Sequence, residues 1–87
     1  MALKIKAKDL ARLCGQLRHL RSTDIRAEHR KGGHTRTLVD VRPDITPQGR
    51  PTIRTIHVIE DGHQQFFDGN YELEVTALLI AGKRHSL

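Results

Sequence analysis

The clearest element of this chain is residues 10–21, which repeat their apolar residues at helical spacing. Leu10, Leu13, Cys14, Leu17 and Leu20 fall at i, i+3, i+4, i+7 and i+10, a single stripe along one side of a helix. The rest of the chain is organised in twos, with short alternating segments separated by breaks rich in Gly, Pro, Asp and Asn. One amphipathic helix among strands must bury its stripe on a sheet. The expected fold is therefore α+β: one amphipathic N-terminal helix packed on a four- to five-stranded, mainly antiparallel sheet. At 87 residues the chain makes one domain with a core one layer thick, which leaves little room for a deep catalytic cleft.

Asp9 stands where an N-cap is wanted, and its carboxylate can accept from the free amides of the first turn. Arg18 and Arg21 suit the negative pole at the other end. Gly15 lies off the stripe and costs about 1 kcal/mol against alanine. Ser22-Thr23-Asp24 reads as a stop and turn. Before the helix, Leu3, Ile5 and Ala7 alternate with Lys4, Lys6 and Lys8, which predicts a short strand with a lysine face.

Residues 25–42 read as a β-hairpin around Lys31-Gly32-Gly33. A two-residue Gly-Gly loop would set Arg26 opposite Val39 and Asp24 opposite Val41, charges beside valines. A three-residue loop with a bulge sets Arg30 opposite His34 and Glu28 opposite Arg36. That register gathers Ile25, Ala27, His29, Thr35, Thr37, Val39 and Val41 on one face. It leaves Arg26, Glu28, Arg30, Arg36, Leu38, Asp40 and Arg42 on the other, and this segregation makes it the expected one.

Residues 43–51 hold three prolines and a glycine and predict a loop, with Arg50 at its tip. Thr52–Glu60 carries apolar side chains on both faces and fits a central strand. Asp61-Gly62 is a two-residue turn signal, so His63–Phe67 returns antiparallel. Asp68-Gly69-Asn70 is a second turn. Tyr71–Ala81 alternates as a strand, with a helix from Asn70 as the rival reading, and residues 82–87 read as a frayed basic tail.

Composition narrows the function. Phe66, Phe67 and Tyr71 are the only aromatics besides histidine, too few for a platform of several stacked bases. The single cysteine, Cys14, lies in the helical stripe and reads as a core residue. No apolar signal region follows Met1–Lys8, and no run approaches the roughly 18 residues of a membrane span. A cytoplasmic protein without membrane contact is expected. The net charge of +5 is uneven: residues 1–42 sum to +7 and residues 43–87 to −2, with no Lys or Arg between Arg54 and Lys83. Such a basic half suits a polyanion or an acidic protein surface.

Six histidines invite chemical readings. The pairs His29/His34 and His57/His63 suggest metal binding, but a site needs three or four converging ligands, and the hairpin registers place the members of each pair on opposite faces. No metal and no cofactor are expected. There is no phosphate-cradling glycine loop and no nucleophile elbow. His34 between Arg30 and Arg36 is the nearest arrangement to a small ribonuclease, which needs a histidine acid–base and a cation for the phosphorane. The chain is nevertheless expected not to be an enzyme.

The leading candidate is an arginine face on the hairpin, Arg26, Arg30, Arg36 and Arg42, extended by Lys31 at the tip and by Arg50. Alternate side chains on paired strands stand roughly 5–7 Å apart, close to the spacing of about 7 Å expected between phosphates of an extended polyanion. Arginine outnumbers lysine ten to five, which favours bidentate recognition of phosphate or carboxylate. The first expectation is thus a small basic binding module that contacts nucleic-acid phosphates. The second is a protein-interaction module, of the inhibitor, adaptor or assembly kind that phages encode, docking on an acidic partner with Phe66, Phe67 and Tyr71 as contacts. The third is a histidine-dependent ribonuclease. Phe66 and Phe67 are adjacent, so a strand points them to opposite faces and only one enters the core. The other is open to solvent, a partner or a second copy, and homodimerisation through it or through a sheet edge is a further expectation.

Overall fold

The computed structural model describes residues 2–21 and 24–87, the side chain of Arg21 excepted. The elements are β1 (Leu3–Lys6), α1 (Ala7–Arg21), β2 (Ile25–Lys31), β3 (His34–Ile45), β4 (Pro51–Glu60), β5 (His63–Asp68), β6 (Glu72–Ile80) and β7 (Lys83–Ser86). Among the described residues, one helix lies on one antiparallel sheet of seven strands, in the order β1-β6-β2-β3-β4-β5, with β7 also paired to β6. The α+β class agrees with the sequence. The count of four to five strands was too low, because β7 replaces the expected tail and β1 joins the sheet.

The connection from β5 to β6 forces this sheet to coil. Asp68 and Glu72 are four residues apart, a reach of at most about 14 Å. In the strand order, four interstrand spacings separate β5 from β6, roughly 19 Å on a flat sheet. The two ends are also offset lengthwise, since Asp68 pairs near the far end of β4 while Glu74 pairs beside the tip of the β2–β3 hairpin. Only strong twisting and curling brings them together. The junction is sealed by backbone hydrogen bonds: Gly69 N–H to Arg54 O (2.8 Å), Lys8 N–H to Gly69 O (3.0 Å) and Ala7 N–H to Tyr71 O (2.8 Å). Gly69 is required there, because a Cβ at this position would lie 1.8 Å from the Ile53 carbonyl oxygen.

The helix packs on the inner side of the curl. Ala7, Leu10, Ala11 and Cys14 are buried against Ile25, Leu38, Val41, Ile56, Val58, Leu73 and Val75. Each large aliphatic side chain so buried stabilises by about 1.5–3 kcal/mol. Leu13 and Leu17 flank this cluster, while Leu20, 78% exposed, ends the stripe in solvent. The helix begins at Ala7, so Asp9 lies within the first turn and is not the N-cap. Its charge still faces the positive pole, and it pairs with Arg12 at 3.5 Å. Arg18 donates to the Val41 carbonyl at 2.9 Å and so ties the helix to β3. The Cys14 thiol is pushed up by burial, against a smaller opposing pull from Arg18. The expected stop at Ser22-Thr23 lies outside the described residues.

The β2–β3 hairpin differs from the expected register. Lys31 pairs with His34, His29 with Arg36, Ala27 with Leu38 and Arg26 with Val39, so the loop is the two-residue Gly32-Gly33 turn. Both glycines have positive φ, 57° and 79°, which the two-residue hairpin turn needs. Of the two charge–valine oppositions that counted against this register, Arg26 opposite Val39 remains, and a bulge removes Val41 from the other. Asp40 adopts φ 60° where β3 slips against β4, and this turns Val41 into the core.

Two further expectations are corrected. Residues 43–51 are not all loop: β3 runs to Ile45 and β4 starts at Pro51, leaving a tight turn closed by Thr46 N–H to Arg50 O at 2.8 Å. The C-terminal residues are not frayed, because Ala81 and Gly82, both at positive φ, turn β6 back into β7. Tyr71–Ala81 contains a strand, as its alternation indicated, and not the rival helix.

Candidate functional site

Helix α1 covers the inner face of the sheet, and no described element covers the outer one. Strand alternation sends Arg26 and Arg30 of β2, Thr37 and Val39 of β3, and Ile59 of β4 to that outer face. Beyond the bulge, Arg42 returns to it. Arg42 pairs with His57, and His57 with Phe66, so the three form a row straight across β3, β4 and β5. The His57 and Phe66 rings meet edge to face, centroids 5.6 Å apart and planes at 66°. Phe66 is 52% exposed.

The cations of this face are only loosely held. Arg26 pairs with Asp24 at 2.7 Å and Arg42 with Asp40, all four side chains being substantially exposed. Ion pairs of this kind are worth about 0–1 kcal/mol, so a phosphate can compete for either guanidinium. Arg30 is exposed and has no ion-pair partner among the described residues. Glu28, the one carboxylate between Arg26 and Arg30, is engaged elsewhere: Arg84 binds it at 2.9 Å, and Thr76 donates to it at 3.0 Å. Hydrogen bonding from Arg84 is the main reason its carboxyl lies below the usual range, against a lesser upward push from burial.

The observed register divides the expected arginine face. Arg36 crosses to the inner side, where its guanidinium lies 3.4 Å from Glu60 and 3.9 Å from Asp61. Lys31 sits at the hairpin tip opposite His34. Arg50 follows the far end of β3, twelve residues long, and so stands at the opposite end of the molecule from Lys31. The aromatic trio is also divided. Phe67 packs against the core with its ring centroid 5.2 Å from that of Tyr71, whereas Phe66 is on the outer face. One phenylalanine in and one out is what their adjacency required.

The inner face holds a polar group that sequence reasoning missed. His29 Nε2 and Glu60 Oε2 are 2.8 Å apart, and the two residues are 1% and 4% exposed. Gln65 donates to the other Glu60 oxygen at 3.4 Å. Burial pushes the Glu60 carboxyl up. Hydrogen bonding and charge from His29, with help from Arg36 and Gln65, outweigh this and hold it below the usual carboxylate range. Nothing local in the sequence marks the pair, for the partners lie 31 residues apart and Glu60 precedes a turn that reads as surface.

The cluster expected around His34 is not assembled. Arg30 points outward, and Arg36 is committed to Glu60. His29 and His34 fall on the same side of the hairpin in the observed register, but no group of three or more His, Cys, Asp or Glu converges as ligands among the described residues. No helix among the described residues is long and apolar enough to cross a membrane. The chain matches no family model, no curated protein and no solved structure.

Proposed function

We propose that this chain is a non-catalytic binding protein whose uncovered outer sheet face takes single-stranded nucleic acid. The observation that carries the reading is the row Arg42–His57–Phe66 on the face that also bears Arg26 and Arg30. An exposed phenylalanine offers one base a stacking partner, worth about 1–3 kcal/mol and indifferent to sequence. Guanidinium groups beside it supply the phosphate contacts that dominate affinity. Arg26 and Arg30, four residues apart on β2, stand about 13 Å from each other, near twice the repeat of an extended phosphate backbone. Lys31, opposite His34 at the hairpin tip, falls on the other side of the hairpin and lies off this track. Arg36 serves the fold instead, and Arg50 is too distant to share a short ligand.

The test is binding of labelled single-stranded RNA and DNA at low and moderate salt. Affinity that falls at least tenfold between about 50 and 200 mM salt supports phosphate contact. Absence of binding at low salt, from a protein of this charge, removes the reading. A second reading, docking on an acidic protein surface, is favoured by the exposure of Ile45, Ile53 and Tyr71, with Arg54 beside Ile53. It predicts weak salt dependence and loss of binding on substitution of Ile53 or Tyr71. RNA cleavage that disappears in His34→Ala would instead point to the ribonuclease reading.

A further inference from the structure

The two edges of the sheet are guarded differently. One edge is shared by β1 and β7, which line up along β6 and carry Lys4, Lys6, Lys83 and Arg84. The other edge is β5, which reads His-Gln-Gln-Phe-Phe-Asp and holds no lysine, arginine or proline. An edge strand presents a row of unpaired N–H and C=O groups, and proteins ordinarily blunt it with charge, proline or a bulge. Along β5 the only carboxylate is Asp68, at its last position: the strand pairs with β4 over six residues without a register shift, and no described strand pairs with its outer side. Near its middle stands Phe66, 52% exposed.

We propose that β5 pairs antiparallel with β5 of a second copy of this chain, about a two-fold axis perpendicular to the sheet at Phe66. Directly opposed residues in an antiparallel pair point to the same face, so self-pairing must match positions an even number apart. With Phe66 on the axis, the two Phe66 rings become neighbours, Gln65 opposes Phe67 and Gln64 opposes Asp68. No like charges face each other. Charge also selects a second copy through this edge. The positive excess of the chain lies in residues 1–42, whereas β5 belongs to the half whose sum is −2. Two copies therefore approach through the surfaces that repel each other least, and the lysine-bearing edges stay in solvent.

The two-fold keeps both outer faces on the same side. The rows Arg42–His57–Phe66 of the two copies then join into one row across a continuous sheet, with four rings where one copy offers two. That consequence rests on the nucleic-acid reading, but the pairing itself does not.

Sedimentation equilibrium without nucleic acid tests the pairing. The mass should rise with concentration from one chain to two and stop there. Phe66→Lys, which puts two cations on the axis, should remain one chain at every concentration with an unchanged circular dichroism spectrum. Phe66→Cys should form a disulfide-linked dimer on mild oxidation, since opposed Cα atoms stand about 4.5–5.5 Å apart, within disulfide reach. Cys14 is fully buried and does not compete, and Lys4→Cys on the other edge should stay unlinked. A wild-type mass of one chain at the highest concentration reached, growth beyond two chains, or faster linking of Lys4→Cys than of Phe66→Cys would overturn the proposal. A single chain that still binds RNA removes the pairing alone, and a dimer that binds no RNA removes the nucleic-acid reading alone.

Discussion

His29 and Glu60 hold each other at 2.8 Å although their strands are not neighbours: β3 runs between β2 and β4, and the two side chains meet on its inner side. Curling of the sheet shortens the path between the two side chains across β3. The pair occupies core positions at one end of the inner face, with Arg36 over Glu60 and 40% of its side chain exposed.

Removing one member leaves the other buried and uncompensated. Glu60→Ala, which takes the buried hydrogen-bond partner from His29, should lower unfolding free energy by about 1–3 kcal/mol in urea denaturation. Replacing both by apolar residues of similar volume, His29→Leu with Glu60→Met, should cost less than Glu60→Ala alone. A double variant less stable than that single one would show that the pair contributes more than mutual compensation.

The lowered carboxyls of Glu60 and Glu28 set the acid limb of stability. A carboxyl that titrates lower in the folded state lets the unfolded chain bind more protons in the acid range. Its contribution is complete above the ordinary value of about 4.3 and is lost as pH falls through the lower folded value. Urea midpoints should therefore be level on this account from about pH 7 to 5 and drop below about pH 4. Glu60→Gln should flatten part of that drop, and an unchanged acid limb in this variant would contradict the assignment.

Two glycines should respond in opposite directions. Gly69→Ala forces a methyl group into the Ile53 carbonyl, and since backbone must move, the loss should be several kcal/mol, at the high end for single substitutions. Gly15, in α1 with open space around its Cβ direction, should gain about 0.5–1 kcal/mol on substitution by alanine. Thermal or urea unfolding of the two variants reads both signs.

The division of the arginines between faces gives a separate test. Arg36→Glu brings a second carboxylate against the buried Glu60 and should destabilise the fold markedly, whereas Arg30→Glu, which faces Glu74 across the strand pair on the outer face, should cost no more than about 1 kcal/mol. Equal effects would mean that the hairpin does not adopt the two-residue turn.

Local patterns carried much of this architecture. The helical stripe, the Asp61-Gly62 and Asp68-Gly69-Asn70 turns and the alternation of Glu72–Ile80 each encode structure within a few residues, and each was legible. The hairpin register was misread because the rule that charges stay off the inner face fails where charges satisfy one another. His29, Arg36 and Glu60 all sit on that face. Pairing across distant strands, which creates this group, leaves no mark at short range. β7 was missed for a related reason: Ala81 adopts a left-handed conformation that alanine rarely takes, so the turn had no signature beyond Gly82. Of the candidate site, the cations were legible as residue types, but their sorting between faces followed from the register. The row with His57 and Phe66 needed the pairing of three strands.

The most direct test of the outer face is the salt slope of binding to a short single-stranded RNA, measured for the wild-type chain and for Arg30→Glu with Arg42→Glu. Each phosphate contact on a single strand contributes about −0.7 to the slope of log K against log salt. The wild-type slope should be about −2 for contacts by Arg26, Arg30 and Arg42, and the double variant should lose at least about 1.4 of it along with most of its affinity. A double variant that binds with the wild-type slope would contradict the assignment of this face.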